Sequence, residues 1–289
     1  MFKDKITIVT GGGSGIGRCL ASALAARGAC VVVADVNLAA AEETVAGITA
    51  QGGTAQAVEV DVSSAEEMQN LVDGAIARHG RLDYMFNNAG TTVIGEMRDL
   101  ELAQWRKVIN VNLWGVIHGT HAAYQAMLRQ KSGHIVNVAS GYGITPGPTL
   151  IPYSTSKHAV VGLSQSLRLE AADLGIKVTV VCPGYVRTAM LEKSAAVNVR
   201  NQDVLAQIPF PLCSAEKSAE IILRGVERNR RLVAFPFYMR LLTWVYHNLP
   251  GISELLMLRM TRDFRKVRQP ESPAAAPPAL AAAEAAVKD

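Results

Sequence analysis

The sequence predicts an α/β fold in which a doubly wound parallel sheet forms a single domain with a helical C-terminal extension. Three observations predict it: short apolar runs alternate with longer segments of helical periodicity, a glycine-rich turn follows the first run, and 49% of the 289 residues are hydrophobic. Strands that are apolar throughout are typical of a parallel sheet covered by helices on both faces. Crossovers between such strands are nearly always right-handed, so the doubly wound arrangement is the simplest topology.

Seven apolar runs are predicted to be strands, with helices between them. The first strand is followed by a helix over residues 16–27, which Gly28 ends, and the second by a helix over residues 38–50. No internal repeat or linker interrupts residues 1–235, which are therefore predicted to form one domain. The predicted strands cover residues 6–9, 30–34, 55–60, 82–86, 135–138, 178–181 and 232–235.

The C-terminal part of the chain departs from this alternation. Residues 188–211 lack clear periodicity, and residues 236–268 form an apolar extension that is predicted to be helical. No apolar run in the extension approaches the roughly 20 residues that a membrane-spanning helix needs. Three roles fit it: covering a substrate, packing against another subunit, or lying on a membrane surface through residues 236–260. Residues 269–289 are rich in alanine and proline and are predicted to be disordered.

Composition and charge argue against several classes of function. A formal net charge of +4 spread over 289 residues is not the basic footprint typical of nucleic-acid binding, so no nucleic-acid partner is predicted. The six histidines lack the spacing of metal ligands, and no metal is predicted. The four cysteines form no CxxC pair, which indicates free thiols in a reducing compartment. The N-terminus enters a strand pattern at once and leaves no room for a signal peptide, so a cytoplasmic location is expected.

The glycine-rich turn between the first strand and the first helix is typical of a dinucleotide-binding (Rossmann) fold. Glycines at this place allow a tight turn and a close approach of the backbone to a pyrophosphate. The N-terminus of the helix then offers N–H donors and the positive end of its dipole. The predicted contacts in this turn are Gly11, Gly13, Ser14, Gly15, Ile16 and Gly17.

An acidic residue at the end of the second strand favours one of the two nicotinamide cofactors. Asp35 lies 18 residues after Gly17. A carboxylate at this distance accepts hydrogen bonds from the adenosine ribose hydroxyls and repels a 2′-phosphate. Neither Ser14 nor Val36 is a basic group that would bind that phosphate. NAD(H) is therefore predicted over NADP(H), the alternative being that Asp35 only caps the next helix.

Motifs along the whole chain make it similar to the classical short-chain dehydrogenase/reductase family. They have the order and spacing of that family over residues 3–235, and Ser140 lies 13 positions before Tyr153 as the family requires. The resemblance implies an NAD-binding catalytic domain that interconverts a secondary alcohol and a ketone, and a homodimer or homotetramer. The motifs are Thr10-Gly11-xxx-Gly15-x-Gly17, Asp61-Val62, Asn87-Asn88-Ala89-Gly90, Asn112, Ser140, Tyr153-xxx-Lys157 and Pro183-Gly184.

Three motif residues have the chemistry that this reaction needs. Tyr153 and Lys157 are four residues apart on a predicted helix, so they share one face. A neighbouring ammonium favours the phenolate and is expected to lower the pKa of the tyrosine, which can then exchange a proton with the substrate oxygen. Ser140 follows a predicted strand, at the edge of the sheet where ligands bind, and its hydroxyl can hydrogen-bond the substrate oxygen.

The resemblance also implies roles for the remaining motif residues. It implies that Lys157 holds the nicotinamide ribose and that Asn112 maintains a proton relay through water. It further implies that the turn after the fourth strand lies under the adenine side and stiffens the sheet. The implied cofactor contacts outside the glycine-rich turn are Asp61, Val62, Asn88, Ala89 and Gly90 on the adenine side, and Pro183, Gly184, Val186 and Thr188 on the carboxamide side.

The substrate is predicted to be a hydrophobic alcohol or ketone, because the segments expected to line its site are apolar. Three other functions are weighed: a non-catalytic NAD(H)-binding sensor or scaffold, a sugar-nucleotide epimerase or dehydratase, and an acyl-carrier-protein ketoreductase. The complete Asn, Ser, Tyr and Lys set argues against the first. The glycine spacing argues against the second, and Asp35 argues against the third, which usually uses NADPH. The expected lining residues are Tyr142, Ile144, Leu150, Met190, Leu191, Ile208 and Phe210.

Overall fold

A seven-stranded parallel sheet with the order β3-β2-β1-β4-β6-β7-β9 forms the centre of the molecule. The structure is a computed structural model that describes residues 1–269. Two further short strands, β5 and β8, pair with each other outside this sheet. The strands are β1 (Ile6–Thr10), β2 (Cys30–Asp35), β3 (Thr54–Glu59), β4 (Tyr84–Asn87), β5 (Val93–Ile94), β6 (Gly133–Val138), β7 (Ile176–Pro183), β8 (Ala195–Ala196) and β9 (Leu232–Phe235).

Helices cover both faces of the sheet. One face carries α1, α2 and α9, whose apolar side chains form a core with the strands, and the other carries α3, α5 and α6. This arrangement confirms the predicted doubly wound α/β fold. The helices are α1 (Gly15–Ala25), α2 (Leu38–Ala50), α3 (Ala65–His79), α4 (Leu102–Ile109), α5 (Gly115–Gln130), α6 (Ile151–Glu170), α7 (Ala189–Lys193), α8 (Asn201–Ala206), α9 (Ala215–Glu227), α10 (Phe237–Asn248) and α11 (Pro250–Val267).

The register of the sheet explains why its strands are apolar throughout. Ile8 of β1 pairs with Val32 of β2, and Val9 pairs with Phe86 of β4. At most 1% of the surface of each of these side chains is exposed, because successive residues point to opposite faces and both faces are covered. In the order β3-β2-β1-β4, the strands β2 and β3 are added on one side of β1, and β4 is then added on the opposite side of β1. A crevice at the carboxyl ends of β1 and β4 results.

Some element limits differ from the sequence expectation. The fourth strand begins at Tyr84 rather than at residue 82, because the Gln130 side chain forms hydrogen bonds of 2.8 Å with both the N–H and the carbonyl of Leu82. Residues 188–211, which lack periodicity, contain the short helices α7 and α8 and the two-residue strand β8. Elements of two to six residues are too short to show a period in the sequence.

The C-terminal extension is a pair of helices, α10 and α11. Met239 near the start of α10 packs against the sheet edge of the domain, where a Cβ on Gly141 would lie 2.2 Å from its methyl carbon. At the far end of α11, Arg268 forms hydrogen bonds with Asp99 of 2.5 and 2.8 Å. No helix within residues 1–269 is long and apolar enough to cross a membrane. The predicted disordered tail begins at Gln269, whose N–H donates to the Asn198 carbonyl, and its remainder, 270–289, lies outside the described residues.

Candidate active site

The glycine-rich turn approaches the strand-end turn after β4 so closely that side chains do not fit. A Cβ on Gly17 would lie 2.0 Å from the Gly11 carbonyl oxygen, and a Cβ on Gly11 would lie 2.9 Å from the Cα of Ala89. Gly11 (φ +62°) and Gly15 (φ +51°) also adopt the left-handed conformation that favours glycine. The turn leads directly into α1, where Ser14 is the N-cap residue and Ile16 lies in the first turn, whose backbone N–H groups have no acceptor within the helix.

Asp35 holds this turn rather than capping the next helix. Its Oδ2 accepts a hydrogen bond of 2.9 Å from the Gly13 N–H, and its Oδ1 accepts one of 3.0 Å from the Asn37 N–H. The N-cap residue of α2 is Asn37, whose side chain accepts from the Ala40 N–H. The alternative that Asp35 only caps the helix is therefore wrong. The carboxylate is partly exposed and lies beside the crevice.

Arg18 is a basic residue beside this carboxylate that sequence reasoning missed. Its guanidinium donates two hydrogen bonds to the Gly13 carbonyl, of 2.7 and 3.0 Å, and pairs with Glu43 at 3.1 Å. Asp35 therefore binds the N–H of Gly13, and Arg18 binds the carbonyl of the same residue. The sequence does contain a signal for Arg18. It follows Ser14 by four positions, and residues four apart on a helix share a face, so Arg18 could have been placed beside the turn.

The turn after β4 is tied to the first strand by hydrogen bonds. The Asn88 amide donates to the Thr10 carbonyl at 2.9 Å, and the N–H groups of Asn88 and Ala89 both donate to the Thr10 hydroxyl. A Cβ on Gly90 would lie 3.4 Å from the Asn112 amide oxygen and 3.6 Å from the Lys157 ammonium. The structure therefore brings the predicted adenine-side turn next to two of the predicted catalytic residues.

The remaining predicted contacts follow β3 and β7. Asp61 is exposed and accepts hydrogen bonds from the N–H and hydroxyl of Ser63, while Val62 packs against Gly115. Pro183 ends β7, and the Gly184 N–H donates to the Phe235 carbonyl at 2.7 Å. The last two, Val186 and Thr188, continue this segment: Val186 forms a bridge with Cys213, and the Thr188 methyl lies beside Gly15.

The side chains of Ser140 and Tyr153 lie close enough to interact, and the Ser140 hydroxyl favours the phenolate form of Tyr153. Ser140 follows β6 and caps the short 3₁₀ turn Gly141–Gly143, where its hydroxyl accepts from the Tyr142 N–H at 3.2 Å. Tyr153 lies in the first turn of α6, next to Pro152, whose missing N–H is no loss there because the first N–H groups of a helix have no partner within it. The two elements therefore present two hydroxyl groups to one point at the carboxyl edge of the sheet.

Lys157 lies one helical turn after Tyr153 and is buried beneath it. Its side chain is 3% exposed, its ammonium donates to the Val138 carbonyl at 2.9 Å, and it lies 5.6 Å from the centre of the Tyr153 ring. Burial lowers the pKa of Lys157 to about 8, because the charged form loses its hydration.

The pKa of Tyr153 differs from the sequence expectation. Burial raises it above its usual value of 10, and the Ser140 hydroxyl only partly opposes that rise. The expected lowering by the neighbouring ammonium is thus wrong for this structure. The physical reason is that loss of hydration penalises the phenolate more than the ammonium 5.6 Å from the ring centre stabilises it.

Asn112 lies where the helix between α4 and α5 widens into a π turn, Asn110–Trp114. Its side chain is fully buried and forms hydrogen bonds with both the N–H (2.7 Å) and the carbonyl (2.8 Å) of Thr91, and a third with Ser156 at 3.2 Å. Single π turns inside α-helices occur often at functional sites. The arrangement fixes Asn112 next to Gly90, within the same cluster as Lys157.

An aromatic wall leads away from Ser140. The hydroxyl groups of Tyr142 and Tyr185 hydrogen-bond each other at 2.5 Å, and the Tyr185 N–H donates to the Tyr238 hydroxyl at 3.2 Å. Tyr238 stacks on Phe210 with the ring centres 4.4 Å apart. Beyond Phe210 lies a cavity of about 280 Å³, lined mainly by apolar residues that include the predicted Leu191 and Ile208. The extension therefore contributes to this wall through α10.

The segment 5–198 matches the family model described as short chain dehydrogenase, which covers more than half of the chain. The chain belongs to the short-chain dehydrogenase/reductase family. The predicted family resemblance is thereby confirmed, and with it an oxidoreductase that acts on a CH–OH group or the corresponding ketone with a nicotinamide cofactor.

The chain is similar to two relatives that are named as a dehydrogenase and a reductase, and to one solved structure of the family. It is 40% identical to a cyclohexanol dehydrogenase of Acinetobacter sp. over 193 residues, which are 66% of this chain and 76% of the relative. It is 37% identical to a 3-oxoacyl-[acyl-carrier-protein] reductase of Synechocystis sp. over 207 residues, 71% and 82% of the two chains. A short-chain dehydrogenase/reductase of Burkholderia phymatum in complex with NAD superposes with a TM-score of 0.79 at 27% identity. The superposition covers 95% of this chain and 99% of the Burkholderia chain.

The residues at the crevice of this family member fit a dinucleotide. The glycine positions leave no room for a Cβ, the first turn of α1 has backbone N–H groups without an acceptor in the helix, and Asp35 offers a partly exposed carboxylate beside the turn. No group of three or more metal-ligating side chains occurs within residues 1–269.

A buried polar network under the site also escaped sequence reasoning. The Asn87 amide donates to Asn137 at 2.8 Å, and Asn137 donates to Ser164 at 3.0 Å. Thr120 joins the same group, so side chains of β4, β6, α5 and α6 are connected. The Asn87 amide oxygen is buried and accepts no hydrogen bond, while the other bonds of the network tie together the strand ends that carry the site. Scattered single Asn, Thr and Ser residues give no sequence signal for it.

Proposed function

We propose that this chain is an NAD-dependent dehydrogenase or reductase for a hydrophobic, preferably cyclic, secondary alcohol or ketone. The observation that carries the proposal is the convergence of Ser140, Tyr153 and Lys157 at one point of the carboxyl edge, next to an apolar wall. The nicotinamide ring, when bound, takes up or gives the hydride at the carbinol carbon. The chain itself must then position the substrate oxygen and move one proton.

Tyr153 is the group proposed to exchange that proton, with Ser140 as its partner. Because burial raises the pKa of Tyr153, its hydroxyl is protonated at neutral pH and can donate to a ketone oxygen that gains negative charge. In the reverse direction it accepts the proton of the alcohol, which requires positive charge nearby to stabilise the phenolate. Lys157 supplies that charge, and the Ser140 hydroxyl hydrogen-bonds the substrate oxygen.

Lys157 and Asn112 are proposed to complete the site in the way that the family resemblance implies. Lys157 holds the nicotinamide ribose and Asn112 supports a proton path to solvent. The short distances from the Gly90 position to both side chains support this grouping.

The apolar character of the proposed substrate follows from the walls of the site. The hydroxyl groups of Tyr142 and Tyr185 hydrogen-bond each other, so the surface that these side chains present to a ligand consists mainly of aromatic carbon. The adjoining cavity has one charged lining residue, Arg187, among apolar ones. The similarity to a cyclohexanol dehydrogenase supports a cyclic secondary alcohol.

A substrate panel tests this proposal. We expect the wild-type protein to reduce NAD⁺ with cyclohexanol and larger apolar secondary alcohols at a kcat/KM at least about 10-fold above that for small polar alcohols, because each added apolar group buried in the site contributes roughly 1 kcal/mol. Initial rates of NADH formation give the measurement. Turnover confined to small polar alcohols would overturn the substrate class, and tight NAD⁺ binding with no turnover would favour a non-catalytic sensor.

A second candidate substrate is an acyl chain with a 3-keto group, which the similarity to the Synechocystis reductase favours. Arg187 at the cavity could pair with an anionic carrier. The same panel separates the two proposals when it includes a 3-oxoacyl thioester with NADH and with NADPH. A rate for the thioester above that for cyclic ketones would select this second candidate.

NAD(H) is the proposed cofactor because Asp35 ends β2 beside the glycine-rich turn, where a carboxylate is expected to bind the adenosine ribose hydroxyls. Replacing Asp35 with alanine is expected to lower kcat/KM with NAD⁺ by about 10-fold, since one hydrogen-bonded carboxylate is lost. The same change is expected to raise kcat/KM with NADP⁺, since the repulsion disappears and Arg18 remains nearby. Steady-state kinetics with both cofactors give the ratio.

Asp35→Asn is the matched control, because it keeps the shape and one acceptor oxygen but removes the charge. It should retain more NAD⁺ activity than Asp35→Ala and still gain activity with NADP⁺. A wild-type protein that already prefers NADP⁺, or an unchanged ratio in both variants, would contradict the assignment.

A further inference from the structure

Arginine side chains line a groove of about 610 Å³ between α9, β9 and α10, which is distinct from the cavity beside Phe210. Ile144, which the sequence predicted to line the substrate site, lines this groove instead of that cavity. Five guanidinium groups and one imidazole contribute to it, and all five arginines are exposed. None of the five lies within 4 Å of a carboxylate in the part of the chain that the structure describes. The groove residues are Arg224, Arg228, Arg230, Arg231, Arg240 and His247.

The charge of this region contrasts with that of the chain. Residues 224–268 contain ten basic and three acidic residues, a formal charge of +7, whereas the whole chain carries +4. The rest of the chain is therefore slightly acidic. Five like charges in one groove repel each other, and an anionic partner removes that repulsion. The groove is thus suited to a surface that carries several phosphate groups.

An exposed apolar surface lies next to the groove on α10 and continues onto α11. Of the sixteen large apolar side chains that are exposed within residues 1–269, eight lie between residues 237 and 258. Trp244 is 56% exposed and Phe237 is 76% exposed. We call these eight residues the apolar hairpin face; they are Phe237, Leu241, Trp244, Leu249, Ile252, Leu255, Leu256 and Leu258.

The helical repeat places the two surfaces side by side. Arg240 and Thr243 of α10 line the groove, and Leu241 and Trp244, one residue later in each case, belong to the apolar hairpin face. One residue corresponds to about 100° of rotation around a helix, so the basic row and the apolar row are on adjacent sides of α10. A flat partner that is apolar inside and anionic at its surface contacts both rows at once.

We propose that α10 and α11 dock this protein onto an anionic lipid surface, with the apolar hairpin face among the acyl chains and the arginine groove on the phosphate headgroups. Exposed Trp and Phe are typical of the interface between headgroups and acyl chains. A second copy of the chain fits the groove less well, because a two-fold symmetric dimer across it would bring the arginines of one copy against those of the other.

Co-sedimentation with vesicles tests the proposal. The full chain is expected to bind phosphatidylcholine vesicles that contain phosphatidylglycerol and to bind pure phosphatidylcholine much more weakly. The variant Arg228→Gln, Arg231→Gln, Arg240→Gln is expected to bind the anionic vesicles about 100-fold more weakly, because each basic side chain at an anionic surface contributes roughly fivefold. Leu241→Ser with Trp244→Ser is expected to weaken binding to both kinds of vesicle.

The control variant Arg106→Gln, Lys107→Gln, Arg129→Gln removes the same charge from α4 and α5. It should bind like wild type, and the melting temperature of every variant should show that the chain is folded. Equal binding of the wild type to both kinds of vesicle, or of the groove and control variants to anionic vesicles, would overturn the proposal. So would a result in which the Leu241 and Trp244 changes dissociate an oligomer in sedimentation velocity but leave vesicle binding unchanged.

Discussion

Replacing Tyr153 with phenylalanine is expected to lower kcat by about 10³-fold, within the range that general acid–base catalysis contributes. The change removes one oxygen atom and leaves the ring that packs over Lys157. Without the hydroxyl, no side-chain acid remains beside Ser140 to exchange a proton with the substrate oxygen. Cofactor affinity is expected to stay within about twofold, because the glycine-rich turn and Asp35 are unaffected. Single-turnover rates and fluorescence titration with NADH measure the two quantities.

Two other tyrosines provide controls for this result. Tyr142 is the nearest competitor for the acid–base role, but its hydroxyl is bonded to Tyr185, and burial raises its pKa well above the usual value. Tyr142→Phe is therefore expected to alter KM more than kcat. Tyr124 lies on α5, where it is partly buried and packs against the core on one face of the sheet, and Tyr124→Phe should leave both constants unchanged. A Tyr153→Phe variant as active as Tyr124→Phe would refute the proposed mechanism.

The sheet and the order of the site segments could be predicted because their causes are local. Buried parallel strands are continuous apolar runs, and the predicted limits 232–235 coincide with those of β9. The glycine-rich turn is recognisable because Gly11 and Gly17 have no room for a side chain. In each case a single stretch of sequence carries the physical requirement, so the requirement is visible without the fold.

Other features depend on contacts between distant segments and could not be predicted in the same way. The polar network joins residues up to 50 positions apart, as Asn87 and Asn137 show. Tyr238 and Met239 reach the site wall only because α10 folds back over Gly141 and Gly184. The pKa of Tyr153 depends on how completely the fold buries it, and helical spacing to Lys157 does not determine that. Burial and long-range pairing therefore account for most of what the sequence did not show.

Lys157→Met is the second variant for which a large effect is expected. Loss of the ammonium should lower kcat by about 10²-fold or more, because the phenolate of Tyr153 would have no neighbouring positive charge. It should also change how stability depends on pH. In the wild type, burial lowers the pKa of Lys157 from its ordinary 10.5 to about 8 in the folded chain.

Because the pKa of Lys157 is lower in the folded chain than in the unfolded chain, the wild-type protein should become more stable as the pH rises. The unfolded chain binds the Lys157 proton more tightly than the folded chain, so the charged lysine destabilises the fold in full below pH 8, and this penalty disappears as the pH rises to 10.5. The stability of Lys157→Met relative to wild type should therefore fall by about 3 kcal/mol between pH 7 and pH 10.5. The variant also loses the hydrogen bond to the Val138 carbonyl, but this loss lowers its stability equally at pH 7 and at pH 10.5 and so does not change the difference between the two values.

Urea unfolding of both proteins across this pH range measures the difference. Lys217→Met, the same replacement at an exposed position of α9, serves as the matched control. If Lys157→Met and wild type instead show parallel stability curves, the ammonium is hydrated in the folded protein. The catalytic argument would then fail as well, because an ammonium surrounded by water stabilises a neighbouring phenolate only weakly. Stability and turnover of this one variant thus test the same physical claim, that Lys157 is charged and buried beneath Tyr153.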